Sequence, residues 1–185
     1  MLQRFDHELR LHADPRFSGK GITIAFIDSD FYPHPDLVEP QNRIKALVDT
    51  TKSSTKTYRF EADETPRWPG WDKRKASQWH GMMTSTCAAG NGHLSEGFYR
   101  GLASDSEVVL IRTINNKGHI TDAAVQRALD WVEANHEEFG IKIINLSVSA
   151  DAVPELAENP IDNTINRLVQ KGLVVTAAAG NEGVR

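Results

Sequence analysis

With 185 residues, 39% of them hydrophobic and 25% charged, the chain is the size of one domain and has the balance of a folded globule, which excludes a largely disordered protein. A formal net charge of -4 offers no basic field for nucleic acid or an anionic membrane, so neither is expected as a partner. The single cysteine, Cys87, excludes an internal disulfide, Met1 to Arg16 has no apolar signal core, and no run of 18 apolar residues occurs. These features together predict a cytoplasmic protein.

In chain order, Ile22 to Ile27 is a continuous apolar run after Ser18-Gly19-Lys20-Gly21, and reads as a strand buried on both faces. Asp28 ends it. The stretch from Asp49 to Gln78 is polar, opens with Thr50-Thr51-Lys52-Ser53-Ser54-Thr55, and carries Trp68 and Trp71, with Trp79 just beyond. It predicts a long loop over 49–79, pinned by its own aromatics rather than floating, and either a surface excursion or a flap over a cleft. His80-Gly81 is expected to open a helix of small residues through Gly90, able to press close against a sheet.

Val108 to Ile111, Ile141 to Leu146 and Leu173 to Ala178 read as further buried strands. Thr121 caps a predicted helix with Val125, Ala128, Leu129 and Val132 on one stripe and Asp122 in its first turn. Asn159 and Pro160 mark the start of another, with Ile161, Ile165, Leu168 and Val169 aligned and Gly172 just past its end. Strands alternating with helices predict an α/β fold: a mostly parallel sheet with helices on both faces, in three layers. Ligands of such folds bind beyond the carboxyl ends of the strands, where Asp28, Ser147 and Asn181 fall.

Taken singly, Asp28 reads as a turn-stabilising carboxylate and His80 as a structural hydrogen-bonding group. Ala177-Ala178-Ala179-Gly180-Asn181 is more specific, since tiny residues admit a ligand backbone and an asparagine amide can donate to a developing oxyanion. In their order, the strand ending in Asp28-Ser29, His34-Pro35-Asp36-Leu37, His80-Gly81 with Ala89-Gly90, Gly101-Leu102-Ala103, Ile143 to Ser147 and Val174 to Gly183 resemble the N-terminal part of a subtilisin-like serine protease. The resemblance covers about Gly19 to Gly183.

That resemblance implies a serine endopeptidase with Asp28 as orienting acid, His80 as general base and Asn181 as oxyanion donor. It implies an extended polypeptide substrate paired against Gly118, His119 and Ile120, faced by Ser147, Val148 and Ser149, with Ala178, Ala179 and Gly180 lining a side-chain pocket. For His119 an ordinary loop role is the better expectation. The family's calcium loops are not recognisable, so no metal is assigned and no cofactor expected. Asp30 stands where the family has glycine, Met82 and Thr86 replace a threonine and a glycine, and Ser149-Ala150 replaces a glycine pair.

The family's Gly-Thr-Ser-x-Ala block is absent from the sequence. Cys87, seven residues past His80 and so roughly 10 Å along a helix, is out of reach as a substitute, and Ser147 lies in the block that resembles the substrate wall. The expectation is therefore a single incomplete domain over 1–185, with 1–18 as an N-terminal extension, lacking the C-terminal part of the fold and inactive alone. Its own C-terminal continuation is then a partner. The alternative is a non-catalytic peptide-binding or scaffolding module. A nucleotide-binding reading fits poorly, because Gly19-Lys20-Gly21 precedes its strand, whereas phosphate-cradling glycines follow one.

Overall fold

A computed structural model describes residue 14 and residues 16–72, 75–148 and 159–181. Six strands form one sheet in the order β3-β2-β4-β1-β5-β6: β1 (Thr23–Asp28), β2 (Ile44–Asp49), β3 (Lys56–Arg59), β4 (Glu107–Arg112), β5 (Ile141–Leu146) and β6 (Val174–Ala177). All neighbours pair in parallel except β3, which runs antiparallel to β2. The three-layer α/β expectation holds.

β1 sits near the middle of the sheet and is buried along its whole length, which is why it reads as an unbroken apolar run. Ala25 and Ile27 face a layer made by α3 (Asp122–Phe139) and α4 (Pro160–Gln170), where Val125, Ala128, Leu129, Val132 and Leu168 are buried. Ile24 and Phe26 face the opposite layer, with Phe31, Trp68, Leu37 from α1 (Pro35–Val38) and Ala89 from α2 (Ala76–Ala89). Thr121 caps α3 by accepting from the Ala124 amide, and Asn159 caps α4 by accepting from Ile161. Gly172 takes a positive φ of 87° just past α4, as its position in the sequence suggests.

Two expectations need correction. The 49–79 stretch is not all loop: it contains β3 and the first turn of α2, and Trp68 is 3% exposed, packed in the core beside Phe60. Trp79, by contrast, is 59% exposed and makes an edge contact with the His80 ring rather than a core contact. The small-residue helix starts at Ala76, one turn before His80, because the Gln78 side chain accepts from the Lys75 amide at 2.8 Å and donates to the Phe31 carbonyl at 3.0 Å. His80 therefore sits inside a formed helix rather than at its frayed end.

α3 and α4 are tied by Glu133, which accepts from Arg167 at 2.9 Å and lies 3.3 Å from the Lys171 ammonium. Hydrogen bonds from Arg167, aided by Lys171, hold the Glu133 carboxyl down to about 2 from an ordinary 4.5. A depressed carboxyl stabilises the fold above its unfolded value and loses that contribution as pH falls. Acid titration between pH 4.5 and about 2 should therefore remove this link, worth on the order of 0.5 kcal/mol for so exposed a pair. Urea melts of the Glu133→Gln variant should be flatter than wild type in that window.

Candidate active site

The end of β1 is held on both sides. The Thr113 hydroxyl, just beyond β4, donates to the Asp28 carbonyl at 2.6 Å, and the Ser147 amide, just beyond β5, donates to the Ile27 carbonyl at 3.3 Å. Asp28 is thus placed by the rigid centre of the sheet, and its residue is fully buried.

Its carboxylate is surrounded by donors. Oδ1 lies 2.7 Å from His80 Nδ1, 2.6 Å from the Ser29 amide nitrogen and 3.1 Å from the Ser29 hydroxyl. Oδ2 accepts from the Thr84 hydroxyl at 2.8 Å. A carboxylate in that setting only accepts, so the shared proton belongs to His80 Nδ1 and the lone pair of the neutral ring is left on Nε2. The His80 side chain is 43% exposed. The ring is thus anchored on its buried side and accessible on the other.

What sets the helix at this distance is Gly81. A Cβ there would meet the Asp30 carbonyl oxygen and lie 2.8 Å from Phe31 Cε1, so α2 packs its glycine directly on the segment after β1. Gly81, Ser85 and Ala89 form the buried face at a spacing of four. Thr84, four residues past His80, reaches the same carboxylate, a role that the sequence reading did not assign; its helical spacing from His80 was the signal.

Asp28, His80 and Thr84 share a cleft of about 560 Å³ with Ile120, Ser147, Val148, Ala178, Gly180 and Asn181. The fold therefore gathers most of the residues named from the sequence. Gly118 and His119 are exposed in the turn before Ile120; Gly118 lines a neighbouring recess, and the His119 carbonyl accepts from the Asn115 amide at 2.9 Å, a loop role. Ala179 is exposed but does not line the cleft, and Ser149 lies outside the described residues. Asn145 Nδ2 donates to Ser147 Oγ at 2.8 Å, fixing that wall. Cys87 is exposed on α2, two turns beyond His80.

Asp30, the residue in place of the family glycine, does not use a left-handed backbone; among the described residues Glu96 is the one non-glycine with positive φ. Instead its Oδ1 accepts from the Phe31 amide at 2.9 Å and lies 3.8 Å from the Arg112 guanidinium. Burial pushes the Asp30 carboxyl above its ordinary value despite these partners. Among the described residues no three His, Cys, Asp or Glu side chains converge as a metal cradle.

A parallel sheet with an acid on its central strand and a histidine on the adjoining helix defines the class of protein. The family model of subtilases, the S8 peptidases, matches residues 19–185, and the chain belongs to that family. It is 30% identical over 172 residues to the serine protease AprX of Bacillus subtilis, covering 90% of this chain and 34% of that protein. It is 28% identical over 170 residues to a subtilisin of Bacillus sp. TA39, covering 89% and 35%. Among solved structures, the CspB protease of Clostridium perfringens superposes with a TM-score of 0.74 at 19% identity, over 95% of this chain and 39% of that one. Sphericase superposes at 0.70 with 22% identity, over 100% and 55%, and both likenesses concern the fold. The chain spans about a third of the length of these two curated relatives.

Proposed function

We propose that this chain carries the acid, the base and the oxyanion donor of a subtilisin-type serine endopeptidase, and that the nucleophilic serine comes from outside residues 1–185. What supports the reading is the 2.7 Å contact of His80 Nδ1 with a buried Asp28, in a cleft that also holds Asn181. In the proposed reaction the serine hydroxyl gives its proton to His80 Nε2 as its oxygen bonds to the scissile carbonyl carbon. Asp28 stabilises the imidazolium, and the Asn181 carboxamide donates to the oxyanion. His80 then returns the proton to the leaving amine, and water repeats the sequence to release the acid.

The substrate is an extended polypeptide laid along the Gly118–Ile120 turn and faced by Ser147 and Val148, with a side chain toward Ala178 and Gly180. Neither nucleic acid nor membrane is a proposed partner. A chain extended through a Gly-Thr-Ser-x-Ala block should be labelled by a fluorophosphonate, and residues 1–185 alone should not. In the extended form Asn181→Ala should lower kcat by about 10²–10³-fold, the scale found for losing one oxyanion donor in subtilisin. A second reading, a peptide-binding module without catalysis, draws on Asp30, Met82 and Thr86 at positions where the family differs; it predicts peptide binding with no labelling of either form.

A further inference from the structure

The turn that leads into Ile120 also borders a second concavity. Ile114 and Ile120 pair as an antiparallel bridge, and the Asn115 amide donates to the His119 carbonyl, which closes a hairpin-like turn. Ile120 lines the Asp28–His80 cleft, while Lys117 lines a cleft of about 580 Å³. A smaller recess of about 170 Å³ adjoins this second cleft through Lys75 and Arg112, and reaches Gly118. It also touches Ser77, whose carbonyl accepts from the Ser29 hydroxyl beside Asp28.

The charge of the second cleft is one-sided. Arg112, at its floor, is taken by Asp49 at 2.9 Å and Asp30 at 3.8 Å. Lys52, Lys56, Lys75 and Lys117 are all exposed on its rim; among the described residues none lies within 4 Å of a carboxylate, although Lys75 acts electrostatically on the buried Asp30. On a protein of net charge -4 this is a local inversion of sign. The excess of exposed ammonium groups calls for carboxylates.

We propose that this lysine-rimmed cleft binds acidic side chains of the polypeptide whose backbone pairs with Gly118–Ile120, so that the protein selects acidic segments beside the bond to be cut. The inference rests on the peptidase reading only for the path of the peptide. Continuity through the recess at Gly118 favours a peptide over an isolated anion. Trp68 in the lining is 3% exposed and only Tyr58 offers a partly exposed ring, a poor platform for stacked bases.

The test is calorimetric titration of the 185-residue protein with a Glu-rich peptide and its Gln counterpart of equal length. The Glu peptide should bind about tenfold tighter, and the preference should shrink with added salt. It should vanish in the Lys52→Glu, Lys117→Glu double variant; if that variant melts early, Lys75→Gln serves instead and should lose part of the preference. Equal affinities, no binding of either peptide, a preference that survives in the variants, or an oligonucleotide of equal charge binding as tightly would each overturn the proposal. Acidic binding with no labelling of the serine-bearing form sinks the peptidase reading alone, and normal labelling with no charge preference sinks this inference alone.

Discussion

On the proposed peptidase reading, Asp28→Asn in a serine-bearing form is expected to lower kcat by about 10⁴-fold, the scale known for this change in another serine protease, with KM hardly moving. The substitution keeps the shape of the side chain. The amide oxygen can still accept from the Ser29 amide at the position that is 2.6 Å away, and the Thr84 hydroxyl can turn round to accept from the new Nδ2. Folding stability is therefore expected to change by no more than about 1–2 kcal/mol. What disappears is the negative charge beside His80 Nδ1, and with it the stabilisation of the imidazolium formed as the serine loses its proton. Single-turnover kinetics alongside thermal melts separates the two. A fall in kcat matched by a collapse of the fold would make Asp28 a structural carboxylate only.

Gly81→Ala gives the largest expected effect on the fold, and its sign is contested between two terms. Alanine improves helix propensity by about 1 kcal/mol over glycine in a helix interior. Against that, the new Cβ meets the Asp30 carbonyl oxygen and would lie 2.8 Å from Phe31 Cε1. A backbone oxygen in the buried segment just after the central strand cannot swing aside, so α2 must lift, at a cost of about 1–3 kcal/mol for overpacking. The net result is a lower Tm. Lifting α2 also draws His80 from Asp28, and a displacement of about 1 Å costs on the order of 10²-fold in rate. A raised Tm would mean that the contact after β1 can loosen without cost, and that Gly81 does not set the His80 position.

β1 and β4 were legible because burial on both faces leaves continuous apolar runs, whereas β5 is buried only in part and β6, expected to be a buried strand, is largely exposed at the sheet edge, with Val174 at 58%. β2 escaped notice because Lys45 interrupts it, yet the Lys45 stem lies along the sheet and its ammonium reaches Glu107 at 3.1 Å and the Phe139 carbonyl at 3.0 Å. β3, Lys-Thr-Tyr-Arg, has the polarity of a loop because it is an edge strand. The start of α2 was hidden since Gln78, not a conventional cap, closes its first turn. Asp28 and His80 lie 52 residues apart, and only the family resemblance joined them before the fold did. The basic cleft was invisible in the sequence: Lys52, Lys56, Lys75 and Lys117 belong to separate segments that only the fold brings to one rim.

The most direct measurement is the protonation state of His80 in the 185-residue protein, read by nitrogen-15 NMR at neutral pH. The account predicts a ring protonated at Nδ1, with a far-downfield, slowly exchanging proton that is lost in Asp28→Ala and retained in Ser147→Ala. A ring protonated at Nε2, or an Nδ1 proton indifferent to Asp28→Ala, would contradict it.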